Sequence, residues 1–375
     1  MTPLRRWCVV GLLAVLVATA PLLPRLRPVS ASEVSAADLL TRVQGSASAP
    51  YSGLAESNGR VQLAVGDTYS DLADLFGASS RMRVWWAGAD AWRVDRLLLS
   101  GEQDLTHDGA TTTSYDYEKA RAVRTRAPDV RLPRTVDLVP PSLARITLAG
   151  ASAEEVSRLP ARRVAGVDAP GLRFVPASGR TTIDRVDLGV DERSGNAVRV
   201  EVYSGGGDRP DVTTTFTEYS AGAPAAADVA FRPSAGVQVD VEDAFDLLDA
   251  ADRYAPYRTP RTVDGVPLSS SRRGAVGVYG EGVDRFLVVP LRVREAGPLR
   301  DALLSSPGAR KGSVRLLGGR YQVPTTLVGL GPLGLLLTGY GEDDGWLVAG
   351  TVTRAALRSS ARDLLEHVRY VGERR

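Results

Sequence analysis

The sequence predicts an α+β fold dominated by antiparallel strands, and three observations lead there. Residues Met82 to Arg124 alternate large apolar and polar side chains in short bursts broken by Gly, Asp and Ser. Turn residues recur about every eight to twelve positions, the pattern of an antiparallel meander. The 375 residues also exceed one ordinary domain and suit two or three.

Composition narrows the function classes. The chain is 43% hydrophobic and 24% charged, with 46 basic and 44 acidic residues and a formal charge of +2. So balanced a total gives no field that would select nucleic acid. Lys119 and Lys311 are the only lysines, an arginine bias that we read as codon composition and not as a binding property. The single cysteine, Cys8, lies in the N-terminal apolar run, so a disulfide or a thiolate metal site is not expected in the folded part.

Residues 1–31 read as a signal peptide or an N-terminal membrane anchor. Arg5 and Arg6 precede an apolar run from Trp7 to Leu23, and Val29-Ser30-Ala31 offers a small-residue cleavage site. The run is roughly 17 residues where a span needs about 20, and Arg25 and Arg27 stand between it and the cleavage site. Cleavage after Ala31 and an uncleaved anchor both remain open. Either way, the rest of the chain is expected to be extracytoplasmic, secreted or tethered to the outer face of the cytoplasmic membrane.

Taken in order, Ser35-Ala-Ala-Asp38 carries a capping-box pattern, with Leu39, Leu40 and Val43 as the apolar face of a helix that Gly45 ends. Val61, Leu63 and Val65 alternate as a first strand, and Asp71–Phe76 reads as a helical turn. In the next strand Met82, Val84 and Trp86 share one face, with Arg81, Arg83 and Trp85 on the other. Trp92–Leu99, Gly101–Thr106, Thr111–Asp116 and Ala120–Thr125 continue the meander, with a turn expected at His107-Asp108-Gly109-Ala110. Four prolines between Ala127 and Pro141 predict a loop over the sheet. Ser142–Leu148 and Ala153–Arg158 read as two short helices. Strands are then expected near Arg162–Gly166, Gly171–Val175, Thr181–Asp191, Ala197–Ser204 and Val212–Tyr219.

The order of basic strand, Trp-Arg-Val strand, acidic-Gly turn, Tyr-Asp strand and Arg-rich strand resembles the core of the LolA and RseB (MucB) family. Val186 to Tyr203, a strand, an acidic turn with Gly195 and a second strand, is similar to a hairpin of that family. The resemblance implies an extracytoplasmic curved sheet, a half-barrel with lid helices that holds an acyl chain or a lipoprotein. It assigns residues 32–235 to that domain and 236–375 to a smaller α+β domain like the C-terminal one of RseB. Within the latter, Asp243–Tyr254 reads as an amphipathic helix, and Val278–Val283 carries the looser match.

No active site is evident. His107, near Asp104 and Asp108, reads as a solvated turn, and His367 as a helix-end residue. Gly329-Leu-Gly331-Pro-Leu-Gly334 fits a dinucleotide fingerprint, but Leu335–Thr338 continues as a strand where the mechanism needs a helix. No cofactor and no metal are therefore expected. Adjacent Trp85 and Trp86 must point to opposite faces. Either both fill ordinary cores, or Val61, Leu63, Val65, Met82, Val84, Trp86, Trp92 and Val94 line an apolar ligand cavity under the N-terminal helix. The expected function is a non-enzymatic binding protein for a lipid or lipoprotein acyl chain. The alternatives are an RseB-like regulator of an anti-sigma factor and a scaffold for a membrane transporter.

Overall fold

In the computed structural model the structure describes residues 29, 32–60, 79–99, 101–126, 133–233, 236–242, 255–269, 274–339 and 344–371. The N-terminal segment, the expected strand at Val61–Val65 and the expected helices at Asp71–Phe76 and Asp243–Tyr254 lie outside the described residues.

Helix α1 (Ala36–Gln44) starts where its sequence says it should, because the Ser35 hydroxyl accepts the Asp38 amide. Leu39, Leu40 and Val43 are buried on one stripe. The first large sheet follows in chain order as β1 (Tyr51–Gly59), β2 (Ser79–Gly88), β3 (Ala91–Leu97), β4 (Glu102–Asp108), β5 (Thr111–Asp116) and β6 (Arg121–Arg126). A 3-10 turn, Thr135–Leu138, leads into α2 (Pro140–Thr147), with two prolines at the first helical positions, where a missing N–H costs nothing.

The same sheet continues with β7 (Val156–Val164), β8 (Val167–Phe174), β9 (Ile183–Val190), β10 (Ala197–Ser204) and β11 (Val212–Ala221). After the one-turn helix α3 (Ala226–Val229), β12 (Gln238–Glu242) joins it beside β6, in parallel. The order across these 12 strands is β12-β6-β5-β4-β3-β2-β1-β11-β10-β9-β8-β7, an open sheet and not a closed barrel. All other neighbours in it are antiparallel.

Two expectations change, and one strand is new. Ala153–Arg158 is not a helix: only a 3-10 turn, Ala153–Glu155, forms before Val156 enters β7 and pairs with β8. His107 is not in a turn but inside β4, opposite Trp92. Tyr51–Gly59, too rich in Ser, Gly and Asn to look like a strand, is β1 and joins β2 to β11. Gly53 is required there, since a Cβ would overlap the Glu218 carbonyl and press on the Phe216 ring.

The second unit carries β13 (Tyr257–Arg258), β14 (Thr262–Val263), β15 (Val266–Pro267), β16 (Gly277–Tyr279), β17 (Phe286–Leu291) and α4 (Val293–Ser305). It goes on through β18 (Arg310–Leu316), β19 (Tyr321–Leu330), β20 (Leu333–Thr338), β21 (Gly345–Gly350), α5 (Arg354–His367) and β22 (Arg369–Tyr370). Its main sheet has six strands ordered β16-β17-β21-β20-β19-β18. Leu357, Ala361 and Leu364 of α5 bury against Val314, Leu327, Leu336 and Val348 of that sheet. The glycines of the fingerprint lie in the β19–β20 hairpin, where Gly331 takes the left-handed turn conformation at φ 58°. A strand follows them, so the geometry that would present a helix N-terminus to a pyrophosphate is not formed.

The two units meet through backbone. Thr182 N–H donates to the Thr351 carbonyl at 2.9 Å, and Thr353 N–H donates to the Arg180 carbonyl at 2.6 Å. Arg180 reaches Asp264 at 2.5 Å, and the Thr181 hydroxyl lies 2.9 Å from both the Val283 and the Thr351 carbonyls. Gly282, at φ 54°, lies so close to the end of α2 that a Cβ would overlap the Ala149 carbonyl. Gly282→Ala should therefore destabilise the protein by at least the left-handed backbone cost of about 1–2 kcal/mol. Urea denaturation checks this, and an unchanged midpoint would show that the junction tolerates separation.

Candidate functional site

Alternation along β2 and β3 sends Met82, Val84, Trp86, Trp92 and Val94 to one face, where all five are buried in one cluster. Val61, Leu63 and Val65, expected beside them, lie outside the described residues. Val136, Leu138 and Val139 cover this cluster, so the roof over the face is the chain segment leading into α2. Ala144 and Leu148, of α2 and its end, join Leu39, Leu40 and Val43 of α1 in a neighbouring cluster over β8 to β11.

The unforeseen feature is a run of rings that crosses five adjacent strands. Tyr219 stacks on Tyr51 at 6.2 Å, Tyr51 on Trp86 at 6.0 Å, Trp86 on Trp92 at 5.8 Å and Trp92 on His107 at 5.2 Å. Each pair sits on neighbouring strands, so strand order, known only from the fold, assembles it. Tyr51 belongs to the strand that the sequence disguised, and Tyr219 is tied to the β9–β10 turn by its hydroxyl, 3.2 Å from Asp191 Oδ2. The Trp86 indole N–H donates to the Ala47 carbonyl at 2.8 Å, which anchors the end of α1 over the rings. Arg145 of α2 lies over the Trp86 ring at 5.2 Å. Burial holds the His107 imidazole below its ordinary range, and its Nδ1 lies 3.0 Å from the Thr112 hydroxyl.

The opposite face of the same strands is ionic. Trp85 lies there, flanked by the Arg83 and Arg93 guanidiniums at 5.9 and 5.4 Å from its centroid. Arg93 bonds Asp95 at 2.6 Å and Asp104 at 2.7 Å, with Glu102 at 3.9 Å. Oxygens of the three carboxylates fall within 4.8 Å of one another, a spacing open to a cation, but the Arg93 guanidinium already supplies positive charge there. Asp104 faces away from His107, so the grouping imaginable in sequence does not converge. Phe231 packs on Tyr115 at 5.9 Å, and α3 rests on β2 and β3, so the segment leaving the first sheet crosses this side of it. His367 is exposed at the end of α5, 3.0 Å from Asp363.

Burial pushes Asp95 up to about 6 and Asp104 up to about 8, because one guanidinium does not offset three neighbouring carboxylates out of water. An unfolded Asp titrates near 3.9, so between about pH 4 and pH 8 the native state holds more protons than the unfolded state. Stability should thus fall as pH rises through that window. Asp104→Asn removes the upper step and should flatten the decline between pH 5 and pH 8, as measured by urea denaturation. An unchanged slope would mean that Asp104 is ionised throughout.

No family model matches the sequence. A curated relative, the DNA replication and repair protein RecF of Anaeromyxobacter sp. (strain Fw109-5), is 33% identical over 109 residues, 26% of this chain and 29% of that protein. The chain thus spans under a third of that relative's length, and the match carries no whole-protein argument. Among solved structures, the chain is similar to MucB in the Pseudomonas aeruginosa MucA/MucB complex at 16% identity and a TM-score of 0.50. That likeness covers 90% of this chain and 99% of the other, and MucB in complex with MucA(peri) matches to the same extent. The LolA superfamily protein NE2245 of Nitrosomonas europaea overlaps at 14% identity over 53% of this chain and 98% of its own, but a TM-score of 0.23 supports no argument. At such identities the likeness concerns architecture: both units together have the fold of MucB.

Proposed function

We propose that the protein is an extracytoplasmic, non-enzymatic binding protein that takes a lipid or lipoprotein acyl chain against the apolar face of its first sheet. The observation that carries this reading is the roof. Among the described residues, the face formed by Met82, Val84, Trp86, Trp92 and Val94 is covered by the stretch Val136 to Val139 and by the turn after α1 that the Trp86 indole bonds, and not by a second sheet. Moving these two short segments uncovers the surface. An acyl chain there gains about 0.8 kcal/mol for each methylene removed from water, and a flat aromatic floor accepts a flexible chain without polar groups to satisfy. Val61, Leu63 and Val65 belong to the same proposal as further lining.

A second reading is favoured by a different observation, the similarity of both units together to MucB in complex with MucA. In that reading the partner is the extracytoplasmic part of an anti-sigma factor, and the binding surface involves both units.

Native mass spectrometry of the chain purified from its own membranes without detergent separates the two. A retained lipid mass, together with a shifted tryptophan emission that Trp86→Phe abolishes, is expected from the first reading. A ligand-free mass with no uptake of added phospholipid or lipopeptide would overturn it and leave the protein partner as the function.

A further inference from the structure

Most half-buried arginines of the first sheet answer to a carboxylate: Arg93 to Asp95 and Asp104, Arg163 to Asp168, Arg173 to Asp187, and Arg199 to Glu201. Arg145 does not, among the described residues. Its guanidinium makes only long contacts to the hydroxyls of Ser46 at 3.4 Å and Ser142 at 3.3 Å, and lies over the Trp86 ring. A cation held against an aromatic surface and lacking an anion carries an uncompensated desolvation cost. Burial accordingly lowers its pKa, with the Tyr51 phenol the other group acting on it.

Tyr51 supplies the second, independent observation. Its side chain is fully buried, yet its hydroxyl has no hydrogen-bond partner among the described residues, although a buried phenol ordinarily finds one. Its ring stacks on the same Trp86 that Arg145 covers. One unpaired cation and one unused donor therefore border a single indole ring, at the seam between α2 and the aromatic face. Together they match an oxyanion: the guanidinium offers a forked donor pair and the phenol a third. Arg145 is only partly covered, so the seam is open to solvent on its side.

We infer that Arg145 and Tyr51 form a headgroup site for an anionic amphiphile, whose carboxylate or phosphate they hold while its chain runs along Trp86 and Trp92. This rests on the acyl-chain reading above and adds to it the charge of the ligand. A carboxylate and a phosphate monoester share the required chemistry, the first supplied by a free fatty acid and the second by phosphatidic acid.

The test is equilibrium binding to the purified full chain, followed by tryptophan emission, with dodecanoate, dodecyl phosphate and uncharged methyl dodecanoate. At least one anion should bind about tenfold more tightly than the ester, a modest value for charge-assisted hydrogen bonds in a partly dry site. Arg145→Met keeps the side-chain length and should erase that preference. Arg145→Lys should retain most of it, and Tyr51→Phe, which removes only an unpartnered hydroxyl, should reduce it without loss of the fold by circular dichroism. Tighter dodecanoate marks a fatty acid as the source, and tighter dodecyl phosphate marks phosphatidic acid. Equal binding of anions and ester by the wild type, or a preference that survives Arg145→Met, overturns the headgroup site and leaves the acyl-chain reading standing. Binding of none of the three overturns both.

Discussion

The stack of rings from Tyr219 through Tyr51, Trp86 and Trp92 to His107 is the contact on which the first unit depends. A sheet of 12 strands has few ways to fix its curvature, because backbone ladders are alike from strand to strand. Large flat rings on successive strands set one spacing and one face. They also make a surface that must be covered, since five rings left in water would oppose folding. The cover comes from the segment around α2 and from the end of α1, pinned by the bond from the Trp86 indole to Ala47.

The two faces of these strands solve opposite problems. On the roofed face apolar rings meet apolar side chains, and Arg145 stands out for lacking an acid among the described residues. On the other face Asp95, Glu102 and Asp104 crowd one guanidinium, and the segment containing Phe231 crosses nearby. An excess of positive charge on one side and of carboxylate on the other cannot be relieved through the sheet. The first is the ground of the proposed anionic site, and burial of the second raises the pKa of Asp95 and Asp104.

The junction between the units adds a constraint of its own. The backbone hydrogen bonds from Thr353 to Arg180 and from Thr182 to Thr351 do not depend on side-chain chemistry, and Gly282 of the second unit lies beside the end of α2. Movement of α2 away from the aromatic face would therefore act on the contact at Gly282 and Ala149. The roof of the proposed site and the attachment of the second unit share one helix.

Much of this was legible in the residues themselves. Period-two alternation put Met82, Val84 and Trp86 on one face and Trp85 on the other, and capping chemistry placed the start of α1 at Ser35. Those are local rules, and the fold obeys them. Local rules failed where a longer-range contact outweighed them. Tyr51–Gly59 is a strand because β2 and β11 pair with both its edges, despite its glycines and serines. Val156–Val164 is a strand because β8 pairs with it, although Ala153–Arg158 reads locally as a short helix. At the glycine fingerprint the local reading held, since the strand expected at Leu335–Thr338 forms and is paired on both sides. Arg145, Tyr51 and Trp86 are far apart in sequence and ordinary in isolation. Only the strand order and the seating of α2 bring an unpaired cation and an unused hydroxyl to one ring, because proximity between distant residues is decided by packing and not by pattern.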